Sequence, residues 1–458
     1  MIHFFLYFSE ENDIVPKVIQ AILNLPNTCH IAIRYTSINI LGQISDWIEA
    51  HPTTLEAILN FLLAALQQKA ALASAAANSL QLICSSCKEH MIPHINVLIE
   101  IARCLEMFEV QPESAIVLLK GISIIISRLP NEQIPDVMRQ LCGFQISHLC
   151  MLVDDSEKSD KRKSTDPSVW LDRLAAIYRH VNPYVKENEV NPCVSVLNEN
   201  WPVLSRTMEK FQHDSKIMER IVRCIRYAVR CISFQALPIL EPLVKQMVAT
   251  YSGHKHSCLL YLGSILVDEF GSDDACIIGL LNMLEAFIEP TFKILQIENG
   301  LKDHPDTVDD FFRLAARFIQ RSPINFLLSP IVSPIIQCAT LACTLDHRDA
   351  NMSVMKFLCS LLNSRQYSEA EVKPFAQQIV QVHSDTLVVN LLYSSIFYLH
   401  SNMLADVADV FMAIKHIDVD KFSESLKTAL TTLPRKNSGG CVTATDVQMN
   451  DFYESLTK

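Results

Sequence analysis

Glycine is the residue this chain most conspicuously lacks, with ten among 458 residues. Tight β-hairpin turns use glycine where the backbone takes a positive φ, so a glycine-poor chain has little turn chemistry for hairpins. Apolar residues make up 49% of the chain, and the leucine, isoleucine and alanine among them are good material for packed helices. We therefore predict an all-α protein.

Motifs that carry catalysis or cofactor binding are also missing. The sequence contains no glycine-rich phosphate loop, no nucleophile elbow and no zinc-protease helix. The nearest metal pattern, Cys84–His94, continues an apolar helix face and is interrupted by Pro93, and His254–Cys258 is similarly weak. We predict no catalytic residue, no cofactor, no metal ion and no enzymatic activity. A metalloenzyme that uses Cys84 and Cys87 is the remote alternative.

Secretion and membrane signals are absent as well. The first residues, MIHFFLYFSEEND, lack a basic region before a short apolar run. The fifteen cysteines stand singly in apolar helix patterns, which indicates a reducing compartment rather than a disulfide framework. Two uncharged stretches, Ser322–Leu345 and Thr386–Ala405, contain prolines or polar residues, so we interpret them as buried helices and predict no membrane insertion.

The charge balance narrows the class of partner. A net charge of −11 repels duplex nucleic acid over most of the surface and favours a basic partner. We therefore predict no direct binding of nucleic acid.

A repeat of helix pairs organises the chain from Ile14 onward. A helix of roughly 12–20 residues, a short turn and a second helix recur about every 40 residues, the period of HEAT or armadillo repeats. This period predicts an α-solenoid, a superhelix of HEAT-type helix pairs over residues 1–458 with no separate globular domains. The predicted pairs include Ile31–Ile48 with Thr54–Gln67, Ala71–Cys87 with Ile92–Phe108, Pro112–Arg128 with Ile134–Leu152, and Val169–Val181 with Pro192–Phe211.

Two segments interrupt this rhythm. Residues 154–167, DDSEKSDKRKSTDP, are polar and predict an exposed charged loop. Residues 435–441 predict a flexible linker to a last helix around Asp446–Leu456. Terminal repeats normally carry a polar outer face, and neither end shows one, so we expect a piece of a longer solenoid.

One predicted helix, Lys216–Cys231, separates its charges from its apolar residues. At about 100° per residue, its basic residues fall within an arc of roughly 120° with Tyr227 in the middle. This basic face consists of Lys216, Arg220, Arg223, Arg226, Tyr227 and Arg230. Arginine binds phosphate or carboxylate through two parallel hydrogen bonds, so the face predicts a phosphate-binding surface. The alternative is an ordinary solvated face whose arginines pair with Glu219 and with acids on a neighbouring helix.

Five longer phrases carry a family resemblance. They are HIAIRYTSI (His30–Ile38), ALASAAANSLQLIC (Ala71–Cys84), HSCLLYLGSILVDEFG (His256–Gly271), HPDTVDDFFRLAARFIQRSP (His304–Pro323) and TLDHRDANMSVMKFL (Thr344–Leu358). These phrases closely resemble the transportin-SR receptors, a family of the karyopherin or importin-β superfamily. The similarity covers Glu10–Lys458, only Met1–Ser9 looks unrelated, and the chain looks like the C-terminal half of such a receptor.

The resemblance implies nuclear import of SR-type splicing factors through their phosphorylated Arg/Ser-rich (RS) domains. It also implies release by Ran-GTP in the nucleus and shuttling between cytoplasm and nucleus. In that family an arginine-rich helix binds the RS segment, and the matching positions are Arg220, Arg223, Arg226 and Arg230, with Lys216 also at a basic position. The main Ran-binding surface and the nucleoporin contacts are expected in N-terminal repeats that this chain lacks, and the family continues past Lys458 with a further helix.

A phosphorylated RS segment alternates phosphates with arginines, so its receptor should offer carboxylates as well. Asp309 and Asp310, at the expected start of the helix DDFFRLAARF, are the candidates for cargo-arginine contacts. The alternative is that they are helix N-terminal charges favoured by the dipole. Tyr227 either packs on the cargo or fills a helix interface. Two further functions stay open: a bidirectional receptor of the importin-thirteen type, and a HEAT scaffold independent of Ran.

Overall fold

A computed structural model describes residues 14–154, 166–362, 369–437 and 439–457. Within these ranges the regular structure is helical, which confirms the all-α prediction. Most of the predicted charged loop, residues 155–165, and the segment Met1–Ser9 lie outside the described residues.

The helices form two compact units, Met1–Leu240 and Glu241–Lys458. The helices of the first unit are α1 (Ile14–Leu23), α2 (Ile31–Gln43), α3 (Ser45–Ala50), α4 (Leu55–Leu66), α5 (Ala70–Ser86), α6 (Lys88–Met91), α7 (Ile95–Arg103), α8 (Pro112–Ile126), α9 (Ile134–Asp154), α10 (Ser168–His180), α11 (Val194–Lys210) and α12 (Ser215–Ile232). The helix α13 (Leu237–His254) includes Leu240, the last residue of the first unit, so the boundary between the units falls within this helix. The later helices are α14 (Ser257–Phe270), α15 (Asp274–Leu295), α16 (Gly300–Asp303), α17 (Pro305–Arg321), α18 (Pro323–Leu327), α19 (Val332–Ala342), α20 (Arg348–Leu362), α21 (Glu369–Phe397), α22 (Leu404–Ile417), α23 (Val419–Thr432) and α24 (Asp446–Thr457).

In the first unit the helices stack in two layers. One layer runs α2, α5, α8, α10 and α12, with each helix packed against the next, and the other contains α7, α9 and α11. Short connections between the layers join helices such as α4 with α5 and α11 with α12. This stacking of successive pairs is the HEAT-type α-solenoid that the period predicts.

The second unit repeats the same arrangement. Helices α14, α17, α20 and α22 pack in succession, and α21 packs against α22 and α23. Buried phenylalanines fill the contact between α17 and α20, where the ring centroid of Phe312 lies 5.4 Å from that of Phe357. Aromatic pairs in such tilted geometry contribute beyond the area that they bury.

Two predicted helices are shorter than expected. The stretch Ile31–Ile48 is divided at Ile44 into α2 and α3. The stretch Ile92–Phe108 is helical only over α7, with a short 3₁₀ turn on either side. Pro93 lies in the first of these turns, where its missing N–H and fixed φ are tolerated. The last helix is present as predicted, one residue longer at its C-terminal end.

The predicted linker 435–441 is described except at residue 438. Its described residues form a turn, in which the Asn437 backbone N–H donates to the Cys441 carbonyl at 2.9 Å and Lys436 forms a β-bridge with Val442. Gly440 takes a φ of +80°, which glycine adopts without steric cost. The flexibility of this segment stays a prediction.

Helix α15 is long and apolar enough to cross a membrane by length and composition. Core helices of soluble proteins meet the same criteria. Its buried residues recur at helical spacing, for example Ile277, Leu280, Met283 and Leu284, and Ile278 is exposed. One buried face of this kind is typical of a helix that packs on its neighbours.

Close contact between α2 and α5 depends on Gly42. A Cβ atom at this position would lie 2.8 Å from the Ser79 Oγ and 2.9 Å from the Ser79 Cα. The Ser79 hydroxyl of α5 donates to the Ile38 carbonyl of α2 at 2.8 Å. This hydrogen bond holds the two helices together beside Gly42, which has no side chain. Because one of the contacts is to backbone, a rotamer change at Ser79 cannot relieve it.

We predict that Gly42→Ala destabilises the first unit by about 1–3 kcal/mol, since the added methyl forces the two helices apart. The three tryptophans, Trp47, Trp170 and Trp201, all lie in this unit. Urea denaturation followed by tryptophan fluorescence therefore reports on it directly. The control is Gly143→Ala in α9, where nothing lies within 4 Å of the new Cβ and helix propensity favours alanine by up to about 1 kcal/mol. Equal midpoints for the two variants would contradict the prediction.

Candidate functional site

The helix that carries the basic face is α12. It begins after Asp214, whose carboxylate accepts from the backbone N–H groups of Lys216 at 2.9 Å and Ile217 at 3.1 Å. A side chain that caps the first turn in this way stabilises the helix start. The helix ends at Ile232, because Ser233 takes a left-handed φ of 47°. The predicted helix Lys216–Cys231 is thus confirmed, with one further residue at each end.

The predicted separation of faces is also present in α12. Lys216 and Arg230 are exposed, and the rest of the basic face is half-buried. The opposite face is buried, and its residues are Met218, Ile221, Val222, Cys224, Ile225, Ala228, Val229 and Ile232. The apolar face anchors the helix in the layer and leaves the guanidinium groups at the surface of the unit.

A single carboxylate holds two of the arginines. The Arg220 Nη1 donates to both oxygens of Asp172, at 3.1 and 2.9 Å, and the Arg223 Nη2 donates to the Asp172 Oδ1. Asp172 lies on α10 and its side chain is 18% exposed, against 43% for Arg220 and 41% for Arg223. Pairing with an acid on a neighbouring helix, the alternative raised above, therefore occurs for these two arginines. Both guanidinium groups nevertheless keep solvent-exposed surface.

Tyr227 lies between two further guanidinium groups. The Arg226 Cζ is 4.3 Å from the ring centroid and the Arg179 Cζ is 5.2 Å from it. Arginine over an aromatic face is attracted by the ring quadrupole, so the tyrosine helps to fix the position of both side chains. A contact between Tyr227 and cargo stays a prediction.

An open groove of about 220 Å³ runs beside the basic face, between α8, α10 and α12. On the side of α12 it is lined by Arg220, Arg223 and Tyr227. The other side adds Lys120 of α8 and Arg179 of α10. Neither residue belongs to the predicted site. Lys120 is the one basic residue of α8, and Arg179 shares α10 with Arg173 without forming a basic face. Their place in the groove depends on how the helices pack, which residue spacing does not reveal.

His180 also lines the groove and is uncharged at neutral pH. Burial, together with the neighbouring charges of Lys120 and Arg179, lowers the pKa of the imidazole from 6.5 to about 4. The positive charge of the groove therefore comes from lysine and arginine alone.

Asp309 and Asp310 belong to the second unit, on α17. The helix begins at Pro305 rather than at Asp309, which corrects the predicted start. Proline is favoured at the first helical position because its missing N–H needs no partner there. The two aspartates consequently lie in the second turn, away from the helix end whose dipole favours acids.

The surroundings of the two aspartates differ. Asp309 is engaged within the unit, since Arg313 donates to both of its oxygens, at 3.0 and 2.8 Å, and Ser353 donates to one. Burial and the adjacent Asp309 charge raise the pKa of Asp310 from 3.8 to about 7, against the opposing effects of Arg313 and of a hydrogen bond with Ser257. Contact of either residue with a cargo arginine stays a prediction.

The two cysteines of the Cys84–His94 pattern are core residues. Cys84 and Cys87 are buried, and burial raises the pKa of each thiol to about 12. Neutral thiols are poor metal ligands, because metals bind the thiolate. In the part of the chain that the structure describes, no three histidine, cysteine or acidic residues lie together in a way that could hold a metal ion.

Two stretches of the chain match a described protein family. Residues 12–101 match the third and residues 191–295 the fourth "TPR domain" of "Transportin-3/Importin-13". The second of these stretches contains α12, so the basic face lies within a matched region. The family description covers transportin-3 and importin-13 alike and does not separate them.

Relatives and solved structures agree with this match. Transportin MOS14 of Arabidopsis thaliana is 24% identical over 98% of this chain and 46% of its own length. Importin-13 of Homo sapiens is 23% identical over 72% of this chain and 35% of its own length. A solved structure of importin-13 in its cytosolic state superposes with a TM-score of 0.79 at 17% identity, over 97% of this chain and 50% of that one.

These similarities support the importin-β superfamily for this chain, and the structural likeness shows its helical-solenoid fold. The relatives are named as transport receptors rather than as enzymes. The chain spans about half the length of these relatives or less.

We predict that Asp172→Asn destabilises the first unit by about 1–2 kcal/mol, because an amide cannot offset the two guanidinium charges beside it. Urea denaturation followed by tryptophan fluorescence measures the change. The control is Asp136→Asn, which removes an exposed partner of Arg139 on α9 and should change stability by less than about 0.5 kcal/mol. A loss for Asp172→Asn no larger than that for the control would show that the half-buried carboxylate is not required for stability.

We predict that Asp310→Asn stabilises the chain progressively as pH rises from about 4 to about 7. A carboxyl group whose pKa is raised in the folded state carries no penalty below its unfolded pKa and destabilises the fold as pH rises through its folded pKa. The difference should level off above pH 7 at about 2–4 kcal/mol. Thermal melts by circular dichroism between pH 5 and 8 test this, with Asp349→Asn, an exposed aspartate on α20, as the control. A difference that is independent of pH would refute it.

Proposed function

We propose that this chain is the cargo-binding part of a nuclear import receptor of the karyopherin type, and that its basic face binds phosphorylated Arg/Ser-rich segments of SR-type splicing factors. The observation that carries the proposal is the convergence of exposed arginine groups on one side of α12, in a region that matches the transportin-3/importin-13 family. Release by Ran-GTP, contact with nucleoporins and shuttling between cytoplasm and nucleus belong to the same proposal for the longer receptor.

The charge of the protein supports an anionic ligand at this place. The whole chain carries −11, so a nonspecific polyanion is repelled by most of the surface, whereas the basic face attracts negative groups locally. A phosphorylated RS segment contains both signs of charge. The phosphates of the segment pair with the arginines of α12. The arginines of the segment are attracted by the negative charge of the rest of the protein surface.

The chemistry of arginine supports phosphate as the group that is bound. Guanidinium offers five N–H donors in a planar fork, and paired hydrogen bonds to phosphate are stronger than bonds between neutral groups. Arg220 and Arg223 each use a single terminal nitrogen on Asp172 in the hydrogen bonds described above. Their other N–H groups are therefore available to a ligand in the groove.

Two other functions are compatible with the same fold. A bidirectional receptor of the importin-13 type is supported by the family match, which names transportin-3 and importin-13 together, and such a receptor binds folded cargo without RS tails. A scaffold that does not bind Ran is the second alternative function.

Binding of the full-length receptor to Ran locked on GTP, compared with Ran on GDP, separates the scaffold from both receptors, because binding to a scaffold does not depend on the nucleotide.

Loss of the basic face should abolish cargo binding. We predict that Arg220→Ala, Arg223→Ala and Arg230→Ala together weaken the affinity for a phosphorylated RS peptide by about 100-fold or more, or about 2.7 kcal/mol, without loss of helicity. Fluorescence anisotropy with a labelled peptide measures the affinity. It should also fall steeply with salt, because exposed ion pairs are screened.

The matched control removes the same number of charges from the first unit outside α12, through Arg103→Ala, Arg139→Ala and Arg206→Ala. These arginines are 60%, 44% and 47% exposed. The control should bind the phosphorylated peptide as the parent does, and the unphosphorylated peptide should bind the parent weakly. Undiminished affinity in the α12 variant would rule out this mechanism. Equal affinity of the parent for both peptides would rule out phosphate recognition, and binding of neither peptide would favour the importin-13 type of receptor.

A further inference from the structure

The groove beside α12 has a second basic side that the arginine helix does not provide. Lys120 projects from α8 and Arg179 from the last turn of α10, and both line the same groove as Arg220 and Arg223. Helices α8, α10 and α12 are consecutive members of one layer, in which α10 packs against α8 on one side and α12 on the other. Positions far apart in the sequence therefore face one another across a short distance.

Small side chains let the two sides approach. Between the basic residues, Ala175 and Ala176 of α10 form the lining, together with Ile116 and Val117 of α8. Both alanines are almost completely buried, so they add no bulk to the groove. Arg179 is held beside α12 by its contact with the ring of Tyr227, at 5.2 Å.

The groove carries an excess of positive charge. Its lining contains four cations, Lys120, Arg179, Arg220 and Arg223, and one carboxylate, Asp172. The nearness of Lys120 and Arg179 to the half-buried His180 is reflected in the low pKa of that imidazole. Folding brings these positive charges close together, so they repel one another. A bound anion reduces this repulsion.

A phosphate group suits this arrangement better than a carboxylate. A phosphoserine carries about −1.5 to −2 charges at neutral pH and offers three acceptor oxygens. It can thus accept hydrogen bonds from both sides of the groove at once. A carboxylate has one charge and two oxygens. Its repulsion by the nearby Asp172 would therefore be offset by fewer hydrogen bonds from the groove.

We propose that Lys120 and Arg179 form the second side of the phosphate site, so that a phosphate in the groove is bound between them and the pair Arg220 and Arg223. This inference rests on the proposed function for the identity of the ligand, a phosphoserine of an arginine-containing peptide. It adds two residues that determine specificity and that lie on helices other than α12. It also assigns Asp172 as a positioning residue, which orients Arg220 and Arg223.

The test compares three peptides with the full chain: an RS peptide with phosphoserines, the same peptide with glutamate at those positions, and the unphosphorylated form. The double variant Lys120→Ala with Arg179→Ala should bind the phosphorylated peptide at least about tenfold more weakly than the parent does, with a smaller dependence of affinity on salt. The glutamate peptide should bind the parent at least about tenfold more weakly than the phosphorylated one, and the double variant should change its affinity little.

The controls separate charge from folding. Arg103→Ala, on α7 outside the groove, should stay within about twofold of the parent, and the charge-keeping pair Lys120→Arg with Arg179→Lys should retain most of the binding. Circular dichroism checks that each variant is folded, and if the alanine variant is not, the pair Lys120→Gln with Arg179→Gln replaces it. Parent-like affinity of the folded neutral variant for the phosphorylated peptide overturns the inference.

A second probe, inorganic phosphate, keeps the two proposals distinguishable. At equal ionic strength in chloride, phosphate should raise the melting temperature of the parent more than that of the double variant. If the peptide does not bind the parent but this difference persists, the proposed cargo is wrong and the phosphate site stands. If the α12 variant loses peptide binding and the double variant does not, the cargo site stands and the second side is wrong.

Discussion

The packing of each helix against the next equivalent helix is the interaction on which the rest of this structure depends. A single amphipathic pair cannot bury its apolar face, so helices are stacked in a layer, in which α5, α8 and α10 each pack against a neighbour on either side. Close approach is set by local details such as Gly42, where a side chain would meet the backbone of α5. The polar faces therefore point away from the contacts between helices. Residues at similar positions along neighbouring helix axes then lie side by side.

The candidate site is a direct result of this packing. Burial of the apolar face of α12 orients its arginines, and the neighbouring α10 supplies Asp172 to two of them. The next helix, α8, supplies Lys120 to the same groove. One carboxylate balances only part of the charge of four cations, and this imbalance is what makes the groove suited to an anion.

Much of the fold could be predicted, because helix periodicity and turn residues are local properties. The bounds of α12 and the division of its two faces followed from residue spacing alone. The predicted helix boundaries were wrong where they depend on tertiary contacts. The break at Ile44 divides one predicted helix, and α17 begins at Pro305, four residues before Asp309. The position of Asp309, held by Arg313 and Ser353, also depends on a neighbouring helix that no sequence spacing reveals.

The sequence by itself determined the all-helical class, the repeat of helix pairs and the amphipathic basic helix, since each follows from the order of apolar and charged residues within one helix. Only the tertiary structure decided that Asp172 pairs with Arg220 and Arg223, and that Lys120 and Arg179 share their groove. The physical reason is that these contacts join helices up to about a hundred residues apart, and their geometry is set by how buried faces pack. Periodicity orients a side chain on its own helix but does not specify what it meets on the next.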